Sequence, residues 1–226
     1  NELHPRLAWG PQGQLLFFSV DLKGAPHLGI VNLGTGQVDL KELFQIDQVL
    51  DMACSPDGRY LLMSALQHGQ SDLYLYDIVA NNHTPLWRDR FDDLQPAFWP
   101  GSSTFMFSSN RPDDTLRNDR LDHPYPEALD LYVGDLADDP ITLTRWTATP
   151  DVDERHPQPL EGWEFLTVTT DDAGARGLGF GWRDSSIVAV DTVVRHRTFT
   201  QFRDALPLPV AGDMPVMGRD LTHVMA

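Results

Sequence analysis

A phrase of short apolar runs recurs along the chain at intervals of 44 or 45 residues. In its clearest copy, the tetrapeptide Ser55–Gly58 is followed by the runs Tyr60–Ser64 and Asp72–Ile78. The proline of this tetrapeptide lies 45 residues after Pro11 and 44 residues before Pro100. A period of about 40 to 45 residues built from short strands is the signature of a β-propeller blade. The sequence therefore predicts an all-β propeller.

Four such units can be followed, and each predicts one blade of four antiparallel strands. Turn-forming Pro-Asp-Gly and Gly-Thr-Gly sequences separate runs that are apolar on both faces, as expected for strands sandwiched between neighbouring sheets. The predicted units are 1–45, 46–91, 92–147 and 148–204, followed by a proline-rich exit segment at 205–226. The fourth unit matches the repeat less well than the others, and its third strand is expected at Ser186–Asp191. The predicted outermost strands are Val38–Phe44, Thr84–Arg90, Ile141–Thr147 and Val194–Phe202.

The number of units suggests an incomplete ring. Propellers contain about four to eight blades, and an arc that fails to close exposes large apolar faces on its first and last blades. Because a first-strand sequence begins close to Asn1, we expect this chain to be part of a larger propeller whose other blades lie elsewhere.

The charge balance excludes one class of partner. The chain has 33 acidic against 17 basic side chains, a net charge of -16, and no basic stripe that would bind nucleic acid.

No apolar run approaches the length of about 18 residues that spans a bilayer as a helix, so no transmembrane segment is expected in this chain. The first residue is not Met and no signal segment follows it, which predicts a processed or excised piece.

The common catalytic and metal-binding motifs are missing from the sequence. There is no Gly-x-Ser-x-Gly, no His-Glu-x-x-His and no pair of Cys or His at zinc spacing. Gly177–Gly181 lacks the third glycine at the place that a nucleotide-binding loop requires and opens no helix, so a loop or strand is favoured. The single cysteine, Cys54, precedes a tight turn without basic neighbours, which favours a buried hydrophobe over a nucleophile. We predict no enzymatic activity, no cofactor and no metal.

The third unit contains the one conspicuous interruption. Asp130–Asp135 restates Asp72–Asp77 at an offset of 58 instead of 44, so 14 extra residues lie between its second and third strands. Connections this long in a repeat of short turns usually carry function or are disordered. We predict that the loop Asn110–Pro126 is a binding surface with these charged candidates: Arg111, Asp113, Asp114, Arg117, Asp119 and Asp122.

The composition of this loop leaves two chemistries open. Its four Asp and three Arg residues are compatible with a calcium site, or with internal salt bridges or a protein contact. Three arginines oppose cation binding, and the alternation of acids followed by glycine is missing, so salt bridges or a protein contact are favoured. Smaller acidic groups precede the first strands of two units at Asp92–Asp93 and Asp151–Glu154, and we predict that they cap loop amides or are solvated.

Several phrases resemble the TolB-type, WD40-like propeller repeats of bacterial envelope proteins over about residues 3–200: Ser55–Ser64, Gly69–Asp77 and Phe107–Asp113. Others resemble the propeller module of large, little-characterised envelope proteins of Gram-negative bacteria: Asp92–Pro96, Asn110–Asp119 and Ile187–Thr200. The resemblance implies a periplasmic or outer-membrane-associated, non-catalytic scaffold. It supplies no catalytic residue to carry over.

Two classes of function remain open. The first is a scaffold for protein–protein interaction in the envelope, which contacts protein partners or other modules of the same protein through loops such as the insertion. The second is the accessory propeller of a peptidase or other hydrolase whose catalytic domain lies outside this chain. A weaker hypothesis is a carbohydrate or small-ligand site at the ring mouth that uses three tryptophans, for which packing between blades is the simpler interpretation: Trp99, Trp146 and Trp163.

Overall fold

The computed structural model describes residues 5–113, 128–148, 151–171, 174, 176–182 and 197–199. In these parts of the chain, sixteen strands form four antiparallel sheets of four strands each. Every sheet is a meander in which the strands follow chain order. The prediction of an all-β propeller with four-stranded blades is confirmed, whereas the unit boundaries and the size of the ring stay predictions.

The blades are numbered 1 to 4 along the chain. Blade 1 contains β1 (Leu7–Trp9), β2 (Leu15–Leu22), β3 (Ala25–Asn32) and β4 (Gln37–Glu42). Blade 2 contains β5 (Gln48–Cys54), β6 (Tyr60–Gln67), β7 (Gln70–Asp77) and β8 (Asn82–Pro85). Blade 3 contains β9 (Asp93–Phe98), β10 (Thr104–Ser109), β11 (Asp130–Asp135) and β12 (Thr144–Arg145). Blade 4 contains β13 (Val152–Pro159), β14 (Glu164–Asp171), β15 (Arg176–Trp182) and β16 (Arg197–Phe199).

Helical structure is limited to short turns in the part of the chain that the structure describes. The 3-10 turns Pro11–Gly13 and Glu161–Trp163 each join the first and second strands of a blade. Among the described residues, no helix is both long enough and apolar enough to cross a membrane.

The repeated Ser-Pro-Asp-Gly phrase forms the tight turn between β5 and β6. The Ser55 amide donates to the carbonyl of Tyr60 at 2.8 Å, and the Gly58 amide donates back to the carbonyl of Ser55 at 2.9 Å. Gly58 has a φ of 73°, which only glycine adopts at little cost. The Ser55 hydroxyl donates to the Asp57 carboxylate at 2.6 Å, a bond that lowers the pKa of Asp57. Ser55, Asp57 and Gly58 therefore each stabilise this turn through a contact or a backbone conformation that their residue type permits.

Each blade packs its neighbours with opposite faces of the same strand. In β6, Leu61 and Met63 join the apolar cluster shared with blade 1, whereas Leu62 joins the cluster shared with blade 3. All three side chains are fully buried. We call the face toward the preceding blade the front face and the face toward the following blade the rear face. Strand alternation thus explains why these runs are apolar at successive positions.

A phenylalanine opposite a glycine recurs on the front faces. The pairs are Phe18–Gly29 in blade 1, Phe105–Gly134 in blade 3 and Phe165–Gly181 in blade 4. A Cβ atom added to Gly134 would lie 2.7 Å from Cζ of Phe105, closer than real Cβ contacts. The glycine therefore leaves room for the aromatic ring to lie across the neighbouring strand.

This pairing identifies β15 as the third strand of blade 4, so the prediction that this strand lies at Ser186–Asp191 is wrong. The glycine-rich run that we read as a loop or strand is strand β15, and Ser186–Asp191 lies outside the described residues. The outermost strands are shorter than expected, and β8 ends at Pro85, which has no amide hydrogen to donate. The predicted exit segment 205–226 also lies outside the described residues.

We expect Gly134→Ala to destabilise the protein by about 1–3 kcal/mol, because its methyl group would displace the buried ring of Phe105. Urea denaturation of the two proteins measures this cost. Gly34→Ala is the matched control, since its added Cβ would meet only the side-chain oxygen of Asn32 at 3.4 Å. Equal losses in both variants would show that the ring does not need the glycine.

Candidate functional site

The insertion in blade 3 begins at a fully buried arginine. Strand β10 ends at Ser109, and Arg111 follows two residues later with an exposure of 0%. Its Nε atom donates to the Ser109 hydroxyl at 3.1 Å, which orients the guanidinium. The first charged residue of the predicted binding loop therefore lies in the protein interior.

Two carboxylates from earlier in the chain bind this arginine. Nη1 of Arg111 donates to Oδ2 of Asp89 at 2.9 Å, and Nη2 donates to both carboxylate oxygens of Asp93 at 2.7 and 2.8 Å. Asp89 belongs to the connection between blades 2 and 3, and Asp93 begins β9. Both carboxylate side chains are at most 1% exposed. Charge-assisted hydrogen bonds of this kind are shorter and stronger than neutral ones.

Four aromatic rings surround the same guanidinium. Their centroids lie between 5.6 and 5.9 Å from its central carbon, within the range of cation–π attraction, and they belong to Trp87, Phe91, Phe107 and Tyr132. The indole of Trp87 also donates to Asp93 at 2.6 Å, and the hydroxyl of Tyr132 donates to the backbone carbonyl of Arg111. The arginine is therefore held through both its side chain and its main chain.

A third buried carboxylate, Asp72, completes this group, which we call the Arg111 cluster: Asp72, Asp89, Asp93 and Arg111. Oxygens of the three carboxylates lie within 4.8 Å of one another. Burial, together with the charge of Asp93, raises the pKa of Asp72 to about 6. Burial also raises the pKa of Asp93, although Arg111 opposes the increase. The cluster thus places three acids against one cation in a dry environment.

The balance of charge explains why Arg111 stays protonated. Burial lowers the pKa of its guanidinium, but Asp93 and Asp89 outweigh burial and raise it above the ordinary value. A cation at this place would have to compete with a guanidinium that already binds two of the three acids. The geometry therefore favours a structural role for these acids over metal coordination.

Contacts with blade 3 and blade 4 hold both ends of the insertion. At its start, Arg145 donates to the carbonyl of Pro112 at 2.9 Å. At its end, the amide of Leu129 donates to the Asp153 carboxylate at 2.9 Å, and the amide of Glu154 donates to the carbonyl of Leu129 at 2.7 Å. Leu129 is itself buried. Hydrogen bonds to blades 3 and 4 therefore hold the two described ends of the insertion.

The six predicted loop residues differ in where the structure places them. Arg111 anchors the base of the loop and cannot contact a partner directly, because its side chain is fully buried. Asp113 is half-buried at the edge of the described residues. The remaining four lie outside the described residues: Asp114, Arg117, Asp119 and Asp122. Partner binding by the loop therefore stays a prediction.

Sequence reasoning missed the acidic partners of Arg111. We expected Asp93 to cap amides or to be solvated, but it is fully buried against the arginine. Strand pairing contained a usable signal, since Asp93 and Ser109 are direct partners in the antiparallel pair β9–β10. An arginine two residues after Ser109 is therefore close to that carboxylate.

Two other sequence candidates prove to be packing residues. Trp99 and Trp146 are at most 4% exposed, and their ring centroids lie 5.0 Å apart between blades 3 and 4. Of Trp163, only the backbone is described.

Burial, assisted by the charge of Asp57, raises the pKa of Cys54 to about 11, so the residue is a thiol at neutral pH and a poor nucleophile.

A cavity of about 500 Å³ lies along the innermost strands of all four blades. Gln95 and His156 meet there from blades 3 and 4, each with a positive φ and each followed by a proline. The His156 amide donates to the side-chain carbonyl of Gln95 at 2.9 Å, and the Gln95 amide nitrogen lies 3.0 Å from Nε2 of His156. These bonds join two blades at the cavity wall, which indicates a structural use of both side chains.

Comparison by sequence identifies no relative of this chain. No protein-family model matches it, and no curated protein matches it either.

Solved structures share its fold. TolB from Acinetobacter baumannii has a TM-score of 0.60 at 17% identity over 85% of this chain and 43% of that protein. Puromycin hydrolase has a TM-score of 0.55 at 15% identity over 85% and 28% of the two chains. Oligogalacturonate lyase in complex with manganese has a TM-score of 0.58 at 13% identity over 84% and 51%.

These similarities confirm the resemblance to TolB-like propellers at the level of fold. The chain spans about half of the lyase and less than half of the other two proteins, which extend well beyond the aligned part. Identities of this size carry no information on shared activity.

We expect Arg111→Met to destabilise the protein by about 3–5 kcal/mol, because Asp89 and Asp93 would remain buried without their cation. Arg176→Met is the control, since Arg176 is exposed at the start of β15 and its loss should cost less than about 0.5 kcal/mol. Urea denaturation distinguishes the two. A small loss in the Arg111 variant would mean that the cluster is not structural.

The raised pKa of Asp72 predicts how stability varies with pH. Between about pH 4, where the unfolded aspartate titrates, and the folded value of about 6, the folded protein holds more protons on Asp72. The free energy of unfolding therefore falls as pH rises through this window, because burial and the nearby charge of Asp93 both disfavour the charged carboxylate in the folded protein.

Asp72→Asn removes this charge and keeps a side-chain oxygen for the amide of Asp89. We expect it to stabilise the protein by about 1 kcal/mol at pH 7.5 and by less at pH 5. Chemical denaturation across this range is the measurement, with the exposed Asp39→Asn as control. A stabilisation that does not change with pH would contradict the interpretation.

Proposed function

We propose that this chain is a non-catalytic β-propeller scaffold for protein–protein interaction in the bacterial envelope, as a module of a larger protein or assembly. One observation carries the proposal: a long insertion leaves blade 3 between ends held by buried contacts at Arg111 and Leu129. Rigid ends lower the ordering cost when a loop binds a partner. The similarity to TolB-like propellers supports the envelope location.

The charges of the Arg111 cluster support a scaffold instead of a catalyst. Its guanidinium is enclosed by two carboxylates and four aromatic rings, so it is not available to a substrate. The half-buried thiol of Cys54 is held protonated by burial. Neither the guanidinium of Arg111 nor the thiol of Cys54 is therefore placed for catalysis.

An accessory propeller of a peptidase or other hydrolase is the second candidate. Puromycin hydrolase and prolyl oligopeptidase B from Galerina marginata align with 83% or more of this chain, at TM-scores of 0.55 and 0.56. In this case the catalytic domain would lie outside the 226 residues, and the chain would position that domain or restrict access to it.

The scaffold proposal predicts that the insertion is needed for partner binding and not for folding. Replacing residues 114–127 with a short Gly-Ser linker keeps Arg111 and Pro112 in place. We expect chemical cross-linking in envelope extracts to lose specific partners, while the unfolding temperature changes little because the anchoring contacts remain. The matched control is a Gly-Ser replacement of Gly34–Thr35 in the exposed turn of blade 1, which should keep every partner.

If the variant with the replaced loop keeps every partner, the insertion is not the surface that binds them. The hydrolase candidate is tested separately by treating the native full-length polypeptide with a fluorophosphonate probe, which labels active serine hydrolases. Labelling outside residues 1–226 would favour the accessory propeller.

A further inference from the structure

One repeat position at the innermost strands carries a different polar side chain in each blade. The offsets of 45 and 44 residues between the first three blades connect three of these residues, and hydrogen bonds with the third identify the fourth: Arg6, Asp51, Gln95 and His156. All four are half-buried and line the cavity of about 500 Å³. We call this group the axial quartet. It combines a cation, an anion, an amide and an imidazole.

A neighbouring repeat position shows how a packing position differs from this one. Two residues further along the chain, the same offsets connect Ala8, Ala53 and Ala97, which line the same cavity. A position that serves packing alone can be filled by one residue type in successive blades, as these alanines show. The axial quartet differs in every blade, as expected where one ligand meets several blades through different polar groups.

Two members of the quartet have a strained backbone. Gln95 and His156 have φ values of 56° and 51°, although neither is glycine, and each precedes a proline, which disfavours helical conformations of the residue before it. The strand register shifts opposite both residues, and it also shifts beside Asp51. Bulges re-aim side chains, and strained residues concentrate at sites that bind ligands. Three blades thus depart from regular strand structure at the cavity wall.

The contact between Gln95 and His156 determines which of their atoms can donate. The side-chain oxygen of Gln95 accepts from the His156 amide, so its side-chain nitrogen is the atom that faces Nε2 of His156. Because an amide nitrogen only donates, Nε2 accepts, and the neutral ring carries its hydrogen on Nδ1. The Gln95 nitrogen also has a second hydrogen. Besides joining two blades, the pair therefore carries two further N–H donors.

The charged members of the quartet add a cation and an acceptor. The Arg6 amide donates to the Ser19 hydroxyl at 2.8 Å, and the Asp51 carboxylate accepts from the amide of Met52 at 2.8 Å. A guanidinium has several N–H donors and a carboxylate several lone pairs, so each can bind a ligand in addition to a protein neighbour. N–H donors from three blades fit an anionic oxygen group, and the carboxylate fits a hydroxyl or ammonium group.

We propose that the axial quartet binds a small organic acid, a molecule that carries a carboxylate together with a hydroxyl or ammonium group. Sugar acids and short peptides share this chemistry. Arg6 binds the carboxylate, Asp51 accepts from the hydroxyl or ammonium group, and the pair Gln95–His156 donates to further oxygens. The volume of the cavity lies within the range of small-molecule sites, roughly 300–1,000 Å³. The site uses none of the three tryptophans predicted for a ring-mouth site, and it does not depend on the proposed scaffold function.

Calorimetric titration of the native full-length polypeptide with four probes tests the proposal. D-glucuronate and glycylglycine carry both groups, whereas glucose lacks the carboxylate and acetate lacks the donor. We expect at least one of the two acids to bind about tenfold more tightly than both glucose and acetate, because each of these loses one charge-assisted hydrogen bond. Tighter binding of D-glucuronate identifies a sugar acid, and tighter binding of glycylglycine identifies a peptide. If neither acid binds more tightly than glucose and acetate, the proposal is wrong.

Two further measurements locate the ligand. Arg6→Gln should weaken binding of that acid about tenfold, whereas Arg176→Gln, exposed at the start of β15, should leave it unchanged. Cys54 needs no substitution, because this half-buried residue lines the same cavity. At about ten times its Kd, the acid should slow maleimide labelling of Cys54 about tenfold in the native protein, since only the free cavity reacts, and not in urea.

Peptide mass spectrometry follows the labelling of Cys54. Equal losses of affinity in the two arginine variants would contradict the role of Arg6. Labelling of Cys54 that does not change when the acid is bound would overturn the assignment of the ligand to this cavity, and this outcome can be observed even if Arg6→Gln does not fold.

Discussion

The ion pairs of Arg111 with Asp93 and Asp89 join the end of β10 to residues that lie 18 and 22 positions earlier in the chain. Asp93 begins the innermost strand of blade 3, Asp89 lies in the connection from blade 2, and Arg111 stands where the insertion starts. Removing charges from water is costly, so a buried pair contributes little net stability unless its geometry is good and its remaining donors are satisfied. Here the guanidinium binds both oxygens of Asp93, one of Asp89 and the Ser109 hydroxyl. The contact therefore determines how blades 2 and 3 are joined, and only secondarily adds stability.

The apolar interfaces between blades follow a simpler rule than this polar contact. Alternate residues of each second strand face opposite neighbours, so every blade needs a neighbour on both sides to bury its core. Phe17 is fully buried between blades 1 and 2, whereas the adjacent Phe18 is only half-buried. Strand β2 thus has one face buried against blade 2 and an opposite face that is only partly buried. The exposed front face of blade 1 is the consequence.

The two proposed roles depend on different parts of the molecule. A scaffold uses the insertion and the surface around its anchored ends, whereas an accessory propeller uses the ring as a spacer or filter beside another domain. Both roles require the same rigid blades, which explains why the similarity to TolB and to hydrolase structures is equally compatible with each. Because Arg111 is buried, a contact through the insertion would have to use other residues of that loop.

The sequence by itself determined the four-stranded repeat, its tight turns and the position of the insertion, because these depend on local periodicity and on residues such as Gly58 that permit a positive φ. It failed where distant segments decide the outcome. The run Gly177–Gly181 could be assigned only to a loop or strand, because the reason for Gly181 is the ring of Phe165 on the neighbouring strand. Likewise, no local pattern distinguishes a solvated Asp93 from a buried one. Only the tertiary structure decided this, because a carboxylate remains charged in the interior only where another segment supplies its cation.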